Sequence, residues 1–361
     1  MGPLAGVRVV ELDAIGPVPL CAMLLADMGA DVVRVARAGG NKAYDDIGEA
    51  ILHRGRTSVA LNLKDAADRE AALALIAGTD ILIEGFRPGV MERLGLGPNM
   101  CLERAPALVY GRMTGWGQHG DLAPRAGHDI NYLAITGALA AIGAKEGPPI
   151  PPLNLVGDYG GGAMFLAMGV LAALIEARRS GRGQVVDAAM TDGVPVLMSL
   201  FLALGQNGGW QDERESNLLD GGAPYYRCYE CADGGHVAVG ALEPQFSAEL
   251  LEGLGLDPVT FRQADKSRWP AMRAAFATRF RTKSRDEWAA LFAGRDACVT
   301  PVLTMAEAPS HPHNRSRDTF VERDGLIHPA PAPRFSRTAS EIRGASEAPA
   351  ADVLERWRAP R

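Results

Sequence analysis

The chain has 361 residues, of which 47% are apolar and 22% are charged, and its formal net charge is -6. This length predicts two or three domains, and the composition excludes a wholly disordered protein. The acidic balance argues against a protein that coats nucleic acid or an anionic membrane, so we expect neither as a partner.

The first 125 residues alternate short apolar runs with helical segments. A strand at 7–12 is followed by a helix at 19–28 and a second strand at 31–35, which together form one βαβ unit. The alternation continues with a strand at 58–63, a helix at 65–77 and strands at 81–84 and 107–112. This order predicts an α/β domain with an open, mostly parallel sheet.

Beyond this region the pattern indicates a long domain, a break and a smaller unit. Helical spacing covers 129–142 and 160–179, and a strand follows at 185–188. A hairpin and two amphipathic helices then predict a small α+β domain. The predicted boundaries are a large domain at 1–200 completed by 329–361, a linker at 201–224, the small domain at 225–320 and a linker at 321–333.

The first βαβ unit lacks the features of a nicotinamide site. A dinucleotide fold needs GxGxxG after its first strand and an acidic residue about 20 positions later. Here the turn Ile15–Pro19 has one glycine, and Arg34 and Arg37 flank the second strand. Arginines at these positions suit a phosphate ligand, although surface arginines beside an α/β turn have the same spacing.

Two titratable residues are adjacent in the segment GHDINY. Asp129 is predicted to cap the helix that begins there, which places His128 at a helix N-terminus. The helix dipole disfavours imidazolium, so we expect a neutral histidine that can accept a proton. The free backbone N–H groups of this turn, that of Asp129 among them, can stabilise an oxyanion. A histidine that only packs or caps the helix start has the same pattern.

Two further carboxylates stand at element boundaries. Asp158 precedes three glycines, which are typical of a place where a ligand or another backbone comes close. Glu243 precedes a proline and projects from a strand end. A helix-capping aspartate and a solvated glutamate are the alternatives that the spacing leaves open.

Metal, membrane and disulfide signals are weak. Cys228 and Cys231 form a lone CxxC without a second pair, so we expect no metal site. The apolar stretch 160–175 is shorter than the roughly 20 residues of a spanning helix, and the N-terminus has no signal-peptide pattern. Five cysteines favour a reducing compartment, with the cytoplasm as the default.

Three motifs together resemble those of the α-methylacyl-CoA racemases, within the family III CoA-transferase superfamily: GHDINY, NLVGDYGGG and GALEPQF. Further segments of the same family type are GPLAGVRVVEL, GADVVRV, EGFRPGVMERLGLG, MTGWGQ, LDGGAPYY and PAPRFSRT. Each motif is short, but their order and spacing are specific, and the resemblance covers essentially the whole chain.

The resemblance implies a Rossmann-like large domain, a small domain and an interlocked homodimer. In such proteins the active site lies where the large domain of one subunit meets the small domain of the other. By position, His128 and Asp158 match the two opposed bases, and Glu243 matches the acid that assists the histidine. Arg37, Arg87 and neighbouring arginines such as Arg34 would hold the phosphates of coenzyme A.

The chemistry of the residues agrees with racemisation beside a thioester. Removing an α-proton and returning one to the opposite face needs two groups that flank one carbon, and it requires no metal or redox cofactor. Met190 and Met198 lie near apolar segments, either as core residues or as a pliable surface for acyl chains.

Two alternatives remain beside the racemase. The first is a family III CoA-transferase in which Asp158 attacks the thioester as nucleophile. It would need neither His128 nor Glu243, and this difference favours the racemase. The second is a non-catalytic acyl-CoA-binding protein, which leaves all three titratable groups unexplained.

Overall fold

A computed structural model describes residues 2–37 and 49–358. The strands are β1 Arg8–Leu12, β2 Asp31–Arg37, β3 Arg56–Leu61, β4 Ile81–Glu84, β5 Val109–Thr114, β6 Gln184–Ala189, β7 Tyr226–Glu230, β8 His236–Gly240, β9 Val299–Pro301, β10 Phe320–Arg323, β11 Leu326–Pro329 and β12 Ser346–Glu347. The helices are α1 Pro17–Asp27, α2 Glu49–Leu52, α3 Ala66–Ala77, α4 Val90–Arg93, α5 Pro98–Arg104, α6 Asp129–Ile135, α7 Met164–Ser180, α8 Met190–Leu197, α9 Ser199–Gln206, α10 Pro244–Leu254, α11 Trp269–Phe280, α12 Arg285–Phe292, α13 Pro312–Ser316 and α14 Ala350–Arg358.

The described residues divide into two compact units. The first holds those within Met1–Thr136, Pro152–Met198 and Asp318–Arg361, and the second holds those within Gly137–Pro151 and Ser199–Arg317. Each unit is built around its own hydrophobic core.

The first unit contains a seven-stranded sheet in the order β12-β3-β2-β1-β4-β5-β6. Every neighbouring pair in it is parallel. Parallel strands are covered on both faces, which is why β4 has an uninterrupted apolar run, Ile81 to Ile83. The predicted α/β class with a mostly parallel sheet is confirmed.

Successive strand residues point to opposite faces of this sheet and build two apolar layers. Val9 belongs to the layer that α1 and α7 cover, with Leu166 and Val170. Val10 belongs to the opposite layer, where Leu75 of α3 lies. The helix α14 also packs on that layer, and the indole of Trp357 donates a hydrogen bond to a carboxylate oxygen of β2 at 2.7 Å.

The strand order reverses direction at β1. The chain moves from β1 to β2 and β3 on one side, then crosses to β4, β5 and β6 on the other. In open α/β sheets, ligands bind in the crevice at the carboxyl ends of the strands beside such a reversal. The fold therefore points to the loops that follow β1 and β4.

A π-helix, Leu155–Ala163, leads directly into α7. The helix predicted at 160–179 thus begins earlier, because the glycines of this segment pack closely instead of breaking it: a Cβ on Gly161 would lie 2.7 Å from a methyl group of Val194. The continuous segment Leu155–Ser180 is long and apolar enough to cross a membrane, and half of its most apolar window is buried. Core helices of soluble proteins meet the same criterion.

The second unit has a three-stranded antiparallel sheet, β7-β8-β9. Its aromatic core includes Tyr229 stacked on Phe280 with ring centroids 5.1 Å apart. A capping box formed by Ser284 and Glu287 begins α12.

Three segments differ from the prediction. The helix expected at 129–142 ends at Ile135, and 137–151 belongs to the second unit, where Arg214 donates to the carbonyl oxygen of Ala144 at 2.8 Å. The linker expected at 201–224 begins inside α9 and continues as a loop folded around the buried side chain of Asn217. The linker expected at 321–333 contains most of the β10–β11 hairpin.

Candidate active site

A cavity of about 320 Å³ opens at the carboxyl ends of β1, β4, β5 and β6 in the first unit. Loops after these strands and the start of α6 form its wall. Its lining residues are Ile15, Gly16, Pro17, Val18, Gly85, Phe86, Arg87, Pro88, Met113, Thr114, Gly115, Trp116, Ala123, Arg125, Ala126, Gly127, His128, Tyr132, Asp158 and Met190.

His128 reaches the cavity from the start of α6. It is the N-cap residue, with extended backbone angles, and its backbone N–H donates to Oδ1 of Asn131 at 3.0 Å. The turn before it is fixed by Tyr132, whose hydroxyl donates to the carbonyl oxygen of Gly127 at 2.5 Å. The predicted placement of His128 at a helix N-terminus therefore corresponds to the structure.

Asp129 is not the cap that the sequence predicts. It is the first residue of α6, and its carboxylate points to another segment: Oδ1 accepts the backbone N–H of Asp158 at 2.7 Å. Its backbone N–H lies in the first helical turn, where N–H groups have no intrahelical acceptor. This position suits the expected donation to an oxyanion, which stays a prediction.

Asp158 lies on the π-helix, a rare geometry that occurs often at functional sites. Its Oδ2 accepts a hydrogen bond from the amide of Asn154 at 3.3 Å, and a Cβ on Gly16 would come 3.1 Å from that oxygen. Burial raises the pKa of Asp158, the Asn154 hydrogen bond opposes this, and the charge of Asp129 raises it further. The result is a carboxyl group that holds a proton more readily than an exposed aspartate does.

The predicted arginines occupy different places. Arg87 lines the cavity. Arg34 instead donates to Oδ1 of Asp13 through Nη2 at 2.7 Å and Nε at 3.1 Å, and Arg37 is exposed at the end of β2. Neither is a lining residue.

The remaining predicted residues are distributed over both units. Met190 lines the cavity and is also buried in the core of the first unit, whereas Met198 caps the end of α8 and does not line it. Glu243 is the exposed N-cap residue of α10 in the second unit, and the cavity is lined entirely by the first unit. Within residues 2–37 and 49–358, no group of three or more metal-ligand side chains is close enough to hold an ion.

Trp116, Arg125 and Tyr132 are among the lining residues that have no role in the sequence prediction. The rings of Trp116 and Tyr132 meet edge to face at 4.7 Å, and a Cβ on Gly127 would come within 2.8 Å of both. Their positions depend on packing between distant segments, which periodicity does not report. The sequence does offer a signal for Arg125, because it lies three residues before the candidate base His128.

The cavity therefore contains two groups that can transfer protons, and it also contains basic side chains. His128 and Asp158 come from the starts of different helical segments, which lets them approach a ligand from different directions. A histidine and a partly buried carboxylate are suitable general bases near neutral pH.

The sequence signature of CoA-transferase family III matches residues 4–352, and the chain belongs to that family. It is 48% identical over 337 residues to the α-methylacyl-CoA racemase of Mus musculus, covering 93% of this chain and 87% of that protein. It is 44% identical over 339 residues to the α-methylacyl-CoA racemase of Homo sapiens, with the same coverages. A CAIB/BAIF family protein from Brucella suis shares the fold, with a TM-score of 0.85, 22% identity and 99% coverage of both chains.

Proposed function

We propose that this protein is an α-methylacyl-CoA racemase, an isomerase that interconverts the (R) and (S) epimers of 2-methylacyl-CoA thioesters. The observation that carries the proposal is that His128 and Asp158 line one cavity from separate helix starts. Sequence identities of 48% and 44% to two α-methylacyl-CoA racemases, over 93% of the chain, support the same reaction.

The reaction is a proton transfer at one carbon. One base removes the α-proton, and the electron pair of the C–H bond moves into the thioester, which becomes an enolate. The other base then returns a proton to the opposite face. We assign these two roles to His128 and Asp158, each acting on one epimer, and we assign stabilisation of the enolate oxygen to the backbone N–H of Asp129.

The substrate accounts for the basic part of the cavity. Coenzyme A carries phosphates, and guanidinium groups bind phosphate through paired hydrogen bonds. Arg87 and Arg125 line the cavity, and neither forms an ion pair within the described part of the chain. They are the first candidates for the anionic part of the substrate, and Arg37, at the carboxyl end of β2, is a further candidate.

A family III CoA-transferase is the second candidate, favoured by the family signature itself. In that reaction the carboxylate of Asp158 would attack the thioester carbonyl and expel coenzyme A as a thiolate, leaving a mixed anhydride on the enzyme. His128 would then have no role, although it lines the same cavity. The racemase uses both residues and is the better account.

Three wider features belong to the same proposal. We place Glu243 as the acid that assists His128 across the interface of a homodimer, with no cofactor beyond the coenzyme A of the substrate. We place the enzyme in the cytoplasm, which is supported by the five cysteines being free thiols. Size-exclusion chromatography with light scattering tests the dimer, and a monomer that keeps full activity would contradict it.

The test of function is incubation of a single epimer of a 2-methylacyl-CoA without any acceptor acid, followed by chiral analysis. The racemase hypothesis predicts formation of the opposite epimer until both are present in comparable amounts. A parallel reaction contains a free carboxylic acid and hydroxylamine. Transfer of coenzyme A to the acid, or a hydroxamate trapped at Asp158, without epimerisation would overturn the proposal in favour of the transferase.

A further inference from the structure

The carboxylate of Asp129 joins the two turns that carry His128 and Asp158. Asp129 directly follows His128 at the start of α6 and is 8% exposed. Its Oδ1 accepts the backbone N–H of Asp158 at 2.7 Å, and the backbone N–H of Gly157 also donates to this carboxylate. A buried side chain next to one proton-transfer residue thus holds the backbone of the other.

Gly157 is required for this approach. Its φ is not in the left-handed region, so the backbone conformation alone does not demand glycine. A Cβ at this position would lie 2.3 Å from Oδ1 of Asp129. Any other residue would push the carboxylate away from the two N–H groups.

Within the described residues, the Asp129 carboxylate accepts hydrogen bonds only from the backbone of residues 157 and 158. The other oxygen, Oδ2, is buried and has no hydrogen-bond partner within residues 2–37 and 49–358. Burying a carboxylate with an unmatched oxygen costs free energy, which a purely apolar residue at this place would avoid. The arrangement therefore fixes the turn at an energetic cost, as is common where function requires a defined geometry.

A second contact holds Asp158 at its side chain. Asn154, one helical turn earlier, donates to Oδ2 of Asp158 at 3.3 Å. Asp129 thus fixes the backbone of Asp158 and Asn154 orients its carboxylate. Displacements of about 1 Å in such a group lower proton-transfer rates as much as 100-fold.

We propose that Asp129 is a positioning residue that sets the separation of His128 and Asp158 by binding the backbone N–H groups of residues 157 and 158 through its carboxylate. This role rests on the proposed racemase function and is separate from the donation of the Asp129 N–H to the enolate oxygen. It also puts a negative charge next to Asp158, which raises the pKa of that carboxyl group.

The test compares Asp129→Ala with Asp129→Asn. Alanine removes the acceptor, whereas asparagine keeps an oxygen that can accept both N–H groups. We expect Asp129→Ala to lower the kcat of epimerisation 10-fold to 100-fold with KM changed less than about threefold, and Asp129→Asn to restore most of the loss. Asp65→Ala is the matched control, because Asp65 also accepts two backbone N–H groups, at the start of α3, away from the cavity.

A second readout does not depend on activity. Amide hydrogen exchange at residues 157 and 158 should be faster in Asp129→Ala than in the unmodified protein, and close to normal in Asp129→Asn and Asp65→Ala. Normal protection, or a normal kcat, in Asp129→Ala would overturn the proposal. If Asp129→Ala does not fold, Gly157→Ala takes its place with the same two expectations. Absence of epimerisation in the unmodified protein would refute the proposed function, while the exchange data would still decide the role of Asp129.

Discussion

His128 and Asp158 reach the same cavity from different surroundings. His128 is an exposed N-cap residue, held by its own helix through Asn131. Asp158 is partly buried, with Asn154 on its carboxylate and Asp129 on its backbone. A more buried carboxyl group and a more exposed imidazole are a reasonable pair of bases, because burial brings the proton affinity of an aspartate closer to that of a histidine.

The environment of Asp158 predicts a pH dependence. Asp158 must be ionised to remove a proton, and its raised pKa means that protonation begins at a higher pH than for an exposed aspartate. The reaction that starts with Asp158 as base should therefore lose rate, as the pH falls, earlier than an ordinary aspartate would allow. Asp129→Asn removes a neighbouring negative charge, lowers the pKa of Asp158 and should move this acid limb to lower pH.

The test is to measure kcat/KM for each epimer at a series of acidic pH values, in the unmodified protein and in Asp129→Asn. His128, Tyr132, Arg87 and Arg125 are the other titratable residues that line the cavity, and all four are retained in Asp129→Asn. An acid limb that moves to higher pH in this variant would contradict the account.

Glu84, the last residue of β4, binds the loop that lines the cavity. Its Oε2 accepts the backbone N–H of Phe86 at 2.7 Å, and its Oε1 accepts Nε of Arg112 at 3.0 Å. This buried side chain fixes the loop that presents Arg87. Burial raises the pKa of Glu84 to about 7, more than the Phe86 and Arg112 contacts lower it.

The raised pKa of Glu84 makes the stability of the protein depend on pH. Its folded-state pKa of about 7 lies above the ordinary value of 4.5, so the folded state binds the proton more tightly than the unfolded state. Its contribution to stability is complete below about pH 4.5 and is lost as the pH rises through about 7. The difference in unfolding free energy between the unmodified protein and Glu84→Gln, measured with denaturant, should shrink over this range. A difference that grows with pH would contradict the prediction.

The π-helix depends on close packing against α8. A Cβ on Gly193 would lie 2.0 Å from the carbonyl oxygen of Gly161, which has no room to move without shifting the segment that carries Asp158. We expect Gly193→Ala to destabilise the protein by about 2 kcal/mol or more. Gly205→Ala is the control: a Cβ on this helical glycine would meet nothing within 4 Å beyond its own helix backbone, so alanine should be neutral or stabilise by about 0.5–1 kcal/mol. Thermal or denaturant unfolding gives both values, and equal effects would contradict the packing argument.

Residue types that cap helices predict where α3 and α12 begin. Asp65 caps α3 and the Ser284–Glu287 box begins α12, because side chains at these positions satisfy the first N–H groups of the helix. Contacts between distant segments were not predictable in this way. The carboxylate of Asp129 looked like a local cap, yet its acceptor role is toward Asp158, 29 residues away.

The protein has a net charge of -6, and its many arginines have different roles. Only five of the 37 basic residues are lysines. Several arginines pair with buried carboxylates under or beside the sheet: Arg54 with Asp27, Arg56 with Glu11 and Arg112 with Glu84. These pairs are structural, so these three arginines are not available to a ligand. The predicted phosphate role of Arg34 is weakened for the same reason, because it pairs with Asp13.

The cavity arginines give a prediction for substrate binding. Arg87→Ala and Arg125→Ala should each raise KM about 10-fold with little change in kcat, because a lost charged hydrogen bond to phosphate costs about 1.5–3 kcal/mol and does not act on the reacting carbon. Arg104→Ala is the control, since Arg104 forms an exposed ion pair with Glu70 outside the cavity lining. Steady-state kinetics at fixed ionic strength measures the effect. A loss of kcat with unchanged KM would assign these arginines to another role.

We propose that His128 and Asp158 exchange one α-proton from two sides of the same carbon. The most direct measurement is incorporation of deuterium from D₂O into the α-position of a single-epimer 2-methylacyl-CoA, followed together with its configuration. We predict α-deuterated product of the opposite configuration from the unmodified protein, and a loss of at least about 100-fold in both His128→Gln and Asp158→Asn, with His119→Gln, outside the cavity lining, unaffected. Inversion without deuterium, or normal exchange in either cavity variant, would contradict a two-base exchange by His128 and Asp158.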